Sequence, residues 1–87
     1  REEWDDGSVD VPVIFTEDTT FYMDTVAAAH ITVQQGVTLT ILGTLTIQVT
    51  ITNYGTINST EGFIEDGAEI DNKTNADGTT GTLNVTG

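Results

Sequence analysis

Residues 43–58 read GTLTIQVTITNYGTIN and hold no charged side chain. Apolar and polar residues alternate through them, and a Gly-Thr-Leu/Ile triplet begins at Gly43 and again at Gly55. Alternation with a period of two belongs to a strand, whose successive side chains point to opposite faces. Thr, Val and Ile favour that conformation. One strand covering the whole stretch would be longer than strands usually run. A second period breaks it up: Leu45, Ile51 and Ile57 lie six residues apart, and so do Ala27, Val33 and Leu39 before them. Downstream, one added residue leads to Ile64, then steps of six reach Ile70 and Ala76, and a step of seven reaches Leu83.

Two positions ahead of these residues stand small or β-branched ones: Val37, Gly43, Val49, Gly55, Gly62, Ala68, Thr74 and Gly81. Thr, Asn or an acid usually follows directly. The unit is roughly [GV]-x-[LI]-[TND]-x-x. A six-residue period is not helical, and glycine at the unit starts suits a corner. Short strands joined by corners at fixed spacing predict an all-β chain folded as a short β-solenoid, each coil stacked on the last. Val33, Leu39, Leu45, Ile51, Ile57, Ile64, Ile70 and Leu83 are the expected core, with corners near Gly43, Val49 and Gly55. At roughly 18 to 20 residues per coil, residues 31–87 make about three coils. An antiparallel sandwich is the competing architecture; Asp66-Gly67 and Asp77-Gly78 are the hairpin signals that favour it. The one helix-like stretch, DTVAAAH at 24–30, reads as small residues leading into the solenoid.

The segments GVTLTILGTLTIQ, NYGTINS, EGFIEDGAEIDN and GTLNVTG resemble the GTLT-x-GTINN repeats of right-handed parallel β-helices in prokaryotic surface proteins, adhesins and phage tail proteins. The resemblance covers about residues 31–87. It implies a parallel β-helix and a structural role at a cell or virion surface.

The charges divide the chain differently. Of 87 residues, 14 are Asp or Glu and two are Lys or Arg, for a net charge of −12. Eight acids fall in residues 1–24 and six in 61–87, and none falls between Thr25 and Thr60. Residues 1–30 are therefore read as an extended acidic N-terminal arm or cap with short strands, at VPVIF (11–15) and TTFYM (19–23), ahead of the core at 31–87. Trp4, Val11, Val13, Phe15, Phe21 and Tyr22 are its candidates for docking on a neighbouring subunit. Such a charge repels nucleic acid and anionic membranes. No apolar run is long enough to span a bilayer. The chain has no Cys, so disulfides and thiolate sites are out of reach. It opens on Arg1 and not on Met, as a processed form or a fragment would.

Residues with chemistry are few. His30 is the sole His, which speaks against a zinc or triad site and for a corner position. Asp71, Asn75 and Asp77 alternate before Gly78 and are weak calcium candidates, but Thr82 stands where an EF-hand needs its last Glu. No cofactor other than calcium is suggested. Sequons mark Asn58, Asn72 and Asn84 as glycosylation candidates. The Thr pairs at 38/40, 44/46 and 50/52 recur every six residues, which puts successive pairs on different faces or along one strand and argues against an ice-binding plane. Carbohydrate-cleaving β-helices need many coils, paired carboxylates and basic residues; this chain is too short and has too few cations. The expectation is a non-catalytic structural subunit of a self-assembling extracellular filament or cell-surface appendage. Its partners would be copies of itself. A virion component, from a phage tail or capsid decoration, and a monomeric adhesin module are the alternatives.

Overall fold

A computed structural model describes residues 7–86. In chain order the strands are β1 (Ser8–Val9), β2 (Val13–Phe15), β3 (Thr19–Phe21), β4 (Thr25–Ala27), β5 (Ile31–Val33), β6 (Thr38–Ile41), β7 (Thr44–Ile47), β8 (Ile51–Asn53), β9 (Thr56–Ser59), β10 (Gly62–Glu65), β11 (Ile70–Asn72) and β12 (Thr82–Val85). They form three sheets of four strands, β1-β4-β7-β10, β2-β5-β8-β11 and β3-β6-β9-β12. Every named pairing is parallel. Each strand therefore lies on the strand three places earlier, and the chain is a β-solenoid of about three turns. The antiparallel sandwich is excluded. The stretch 24–30 contributes strand β4 and no helix.

The corners fall where the glycines and Val49 were expected to mark them, between β6 and β7, β7 and β8, and β8 and β9. Along each strand, alternate residues enter the tube. Leu39, Leu45, Ile51 and Ile57 are at most 1% exposed. Burying a side chain of that size contributes about 1.5–3 kcal/mol, so these few positions carry much of the core.

The six-residue frame is longer and more regular than the sequence reading allowed. Val9, Phe15 and Phe21 are buried core residues in step with Ala27, Val33 and Leu39. The division at residue 30 is thus not a structural boundary for residues 8–30. The short strands expected near 11–15 and 19–23 are β2 and β3, and they lie in register on β5 and β6 as part of the first rung. Acidic corners hid this rung: Asp10, Glu17, Asp18 and Asp24 sit between its strands, where polarity costs nothing. Phe15 and Phe21 meet edge to face, with ring centroids 6.0 Å apart, and fill the tube there.

At the other end the frame also corrects one assignment. Ile64, expected inside, is 52% exposed, and Phe63 packs on the core instead. In-register pairing fixes this: Phe63 lies on Leu45 and Ile64 on the outward Thr46. The added residue belongs to the next corner, since Ile70 pairs with Ile51 19 positions earlier, where Gly62 pairs with Thr44 18 earlier. Ile70 and Leu83 hold inward registers but are only partly buried.

Two larger insertions share one corner, between the second and third sheets. The turn at 34–37 lengthens its coil from 18 to 20 residues, as Ser8 pairing with Val26 but Thr19 with Leu39 shows. It tucks the buried Val37 inward, and the Val37 N–H donates to the Gln34 carbonyl at 3.1 Å. Residues 73–81 form the second insertion.

The register predicts unequal responses to truncation. Leu45→Ala should lower the unfolding free energy by about 2–5 kcal/mol, whereas Ile64→Ala should change it by about 0.5 kcal/mol or less. Urea denaturation followed by circular dichroism reads both; equal losses would mean that Ile64 and Phe63 are misassigned.

Candidate functional site

Stacked rungs leave two ends. The outer edges of β1, β2 and β3 bound one end, and those of β10, β11 and β12 bound the other. The ends differ. Inward residues of the first rung are as buried as those in the middle: Val9, Phe15 and Phe21 are at most 5% exposed. In the last rung Phe63, Ile70 and Leu83 are only partly covered. The first rung also bears an open groove of about 590 Å³ along residues 11–20, lined by Val11, Ile14 and Glu17 among others.

A second inward series runs alongside the first: Ile41, Ile47, Asn53, Ser59 and Glu65, again six apart. It changes from apolar to polar along the chain, and the first two of its three polar members, Asn53 and Ser59, are hydrogen-bonded at corners. Asn53 is completely buried. Its Oδ1 accepts from the Gly55 N–H at 3.0 Å, while Nδ2 donates to Asn72 Oδ1 and to the Thr82 carbonyl, each at 3.0 Å. One side chain therefore ties its own corner to both flanks of the equivalent corner one rung on. Ser59, also completely buried, accepts from the Gly62 N–H at 2.9 Å, and its hydroxyl is within reach of the Gly43 carbonyl at 2.6 Å and the Gly62 carbonyl at 2.8 Å. Buried polar atoms without partners would be costly, so such completeness is what lets Asn and Ser replace isoleucine inside. Glu65 continues the series on the last rung, in register with Ile47.

Carboxylates act the same way outside. Asp18 Oδ1 accepts from the Thr38 N–H at 2.8 Å, and Asp24 Oδ1 accepts from the Thr44 N–H at 2.9 Å. Each acid on one rung holds the start of a strand on the next.

The insertion at 73–81 folds back over its corner as a clasp. Thr74 and Thr80 form an antiparallel bridge, and the Gly78 N–H closes the tip on the Asn75 carbonyl at 3.0 Å. Asn75 Nδ2 donates to the Tyr54 carbonyl one rung back at 2.9 Å. Gln35 Nε2, on the earlier insertion a rung further back, donates to Asp77 Oδ2 at 2.7 Å. Close packing at this corner demands glycine twice: a Cβ on Gly55 would run into the Gln34 and Val37 carbonyls, and one on Gly81 into the Asn53 carbonyl.

The three calcium candidates lie on this clasp and on the strand that leads into it. Asp71 pairs with Lys73 at 2.9 Å, Asn75 turns its amide nitrogen to carbonyls, and both Asp77 oxygens accept hydrogen bonds from Thr79 and Gln35. Each of the three thus has partners of its own. The Thr79 hydroxyl, the Thr79 amide and the Gln35 side chain hold the Asp77 carboxyl below the usual carboxylate range. Hydrogen-bonding to Asp71 raises the Lys73 ammonium, an exposed pair of small consequence.

The other expected residues are scattered. His30 is exposed at a corner, and its Nε2 lies 3.1 Å from Thr52 Oγ1. Asn84 Nδ2 donates to Asn58 Oδ1 at 3.0 Å, so these two sequons stack on the third sheet, while Asn72 supports Asn53. The Thr pairs 38/40 and 44/46 lie on different sheets, in β6 and β7, the first of the two placements their spacing allowed. Among the docking candidates, Phe15 and Phe21 are consumed by this chain's own core and Val13 packs against it. Val11 and Tyr22 remain exposed at corners. Trp4 lies outside the described residues.

No protein-family model matches the chain, and no curated protein or solved structure is significantly similar to it.

Two outcomes follow. Asn53→Ala leaves the buried Gly55 N–H without its acceptor and should cost about 1–3 kcal/mol, read by thermal or urea unfolding. Because the folded Asp77 carboxyl lies below its unfolded value of 3.8, its contribution is complete above that pH and is lost as the pH falls through the folded value. Protection of the Thr79 amide, its exchange measured against the intrinsic rate at the same pH, should therefore fall on acidification past that point in the natural chain, and should already be low at neutral pH in Asp77→Ala.

Proposed function

We propose that this chain is a non-catalytic structural unit that assembles with copies of itself, end to end, into an extracellular filament or surface appendage. The observation that carries the reading is the last rung. Phe63, Ile70 and Leu83 stay half-buried there, beside the open edges of three strands. Open edges recruit further strands. A second copy offers three short strands of the same order in its first rung, so each sheet can simply continue. The side chains with chemical capacity support a structural role: Asp18, Asp24, Asn53, Ser59 and Asp77 all hold one rung to another. The resemblance of the repeat to those of prokaryotic surface proteins, together with the three sequons, favours a place outside the cell.

Charge regulates such an assembly. Copies with a net charge of −12 repel one another, and salt screens that repulsion over about 8 Å at physiological ionic strength. Electron microscopy and light scattering of the purified chain, over a grid of salt concentration and pH, should show fibres one subunit wide growing as charge is screened or neutralised. Monomers throughout the grid would overturn the reading.

A further inference from the structure

We infer that Glu65 is a gate on the C-terminal end of the solenoid: while ionised, it keeps a second copy from stacking there. This rests on the end-to-end reading above and identifies what controls it. Glu65 occupies the inward series of Ile41, Ile47, Asn53 and Ser59, and it pairs in register with Ile47, which is 1% exposed. On an inner rung that position is core. On the last rung it is exposed.

A stacked copy would remove that exposure. Within the chain Ser8 pairs with Val26, Val26 with Thr46, and Thr46 with Ile64. Carried one step further, the same register sets Ser8 of the copy on Ile64 and Val9 of the copy on Glu65. Val9 and Ile47 are both core residues, so the carboxylate would be enclosed between two aliphatic side chains. Among the described residues no cation relieves it: Lys73 belongs to the second sheet's corner and is paired with Asp71. The neighbouring groups worsen matters, because Asp66 follows Glu65 and Asp10 of the copy would follow Val9. Burying an unpaired carboxylate is expensive. The rest of the rung is suited to stacking, since Phe63, Ile70 and Leu83 are apolar and Asn72 and Val85 are uncharged. Glu65 is the single charged residue among the inward positions of β10, β11 and β12. Inward-pointing charge on an edge strand is a known protection against edge-to-edge association.

The test compares the natural chain with Glu65→Leu, Glu65→Gln and Glu61→Leu. The last removes the same charge from an exposed corner. Circular dichroism first establishes that each variant is folded; Glu65→Gln, nearly isosteric, preserves the comparison if Glu65→Leu misfolds. Sedimentation velocity at neutral pH and low salt then gives the concentration at which each assembles. The gate predicts that Glu65→Leu assembles at a concentration at least about tenfold lower than the natural chain, from the relief of carboxylate burial. Glu65→Gln should fall between them and Glu61→Leu should stay near the natural value. If Glu61→Leu shifts assembly as far as Glu65→Leu, bulk charge and not the inward register is responsible, and the gate is refuted. If the natural chain and Glu65→Leu assemble alike, the gate fails and end-to-end assembly stands. If no variant assembles even in high salt, both fail together.

Discussion

Parallel strands stacked in register place each residue directly over its counterpart one coil earlier, and every other property of this molecule follows from that superposition. A residue is not packed against whatever fits; it is packed against the same kind of position, repeated. Leu45 lies under Phe63 and Leu39 under Ile57 because their strands share a backbone ladder. The side-chain period of two then leaves no freedom: a slip by one residue would turn the whole inward set to solvent. That constraint explains why insertions are confined to corners, where a rung can lengthen without disturbing the pairing above and below.

Superposition also determines how polarity is handled. Inside, Asn53 and Ser59 are tolerated because they sit at corners, where the backbone of successive rungs offers donors and acceptors within their reach. Outside, Asp18 and Asp24 supply acceptors to amides on the following rung. Acidic residues are therefore part of the rung-to-rung bonding as well as a source of repulsion. The uncharged middle, residues 25–60, coincides with the two inner rungs, whose faces are covered by like strands on both sides.

The sequence was most readable where local preference and register agree. From Leu39 to Ile57, apolar inward residues, outward Thr and corner glycines point to one answer, and sheets, corners and core positions fall as expected. It was least readable where two apolar residues adjoin. In Phe63-Ile64 either could face inward, and only pairing with β7 decides for Phe63. The first rung was obscured by its own composition: Val9, Phe15 and Phe21 keep the six-residue step, but the surrounding acids suggested a separate arm. Asn53, Ser59 and Glu65 were legible in principle, since they continue the step from Ile41 and Ile47. An eye trained on apolar positions passes over them. The contact between Gln35 and Asp77 has no sequence signal, because it depends on two insertions meeting across rungs.

That meeting has a mechanical consequence. In a simple stack each rung is bonded only to its neighbours, so tension along the axis can peel the end rung away and then the next. The clasp changes the connectivity, because residues 73–81 reach past the rung of Tyr54 to Gln35. Detaching the last rung then requires breaking bonds to two rungs at once. A load applied to the C-terminal end is shared between them, and the end most exposed to fraying is tied to the interior of the tube.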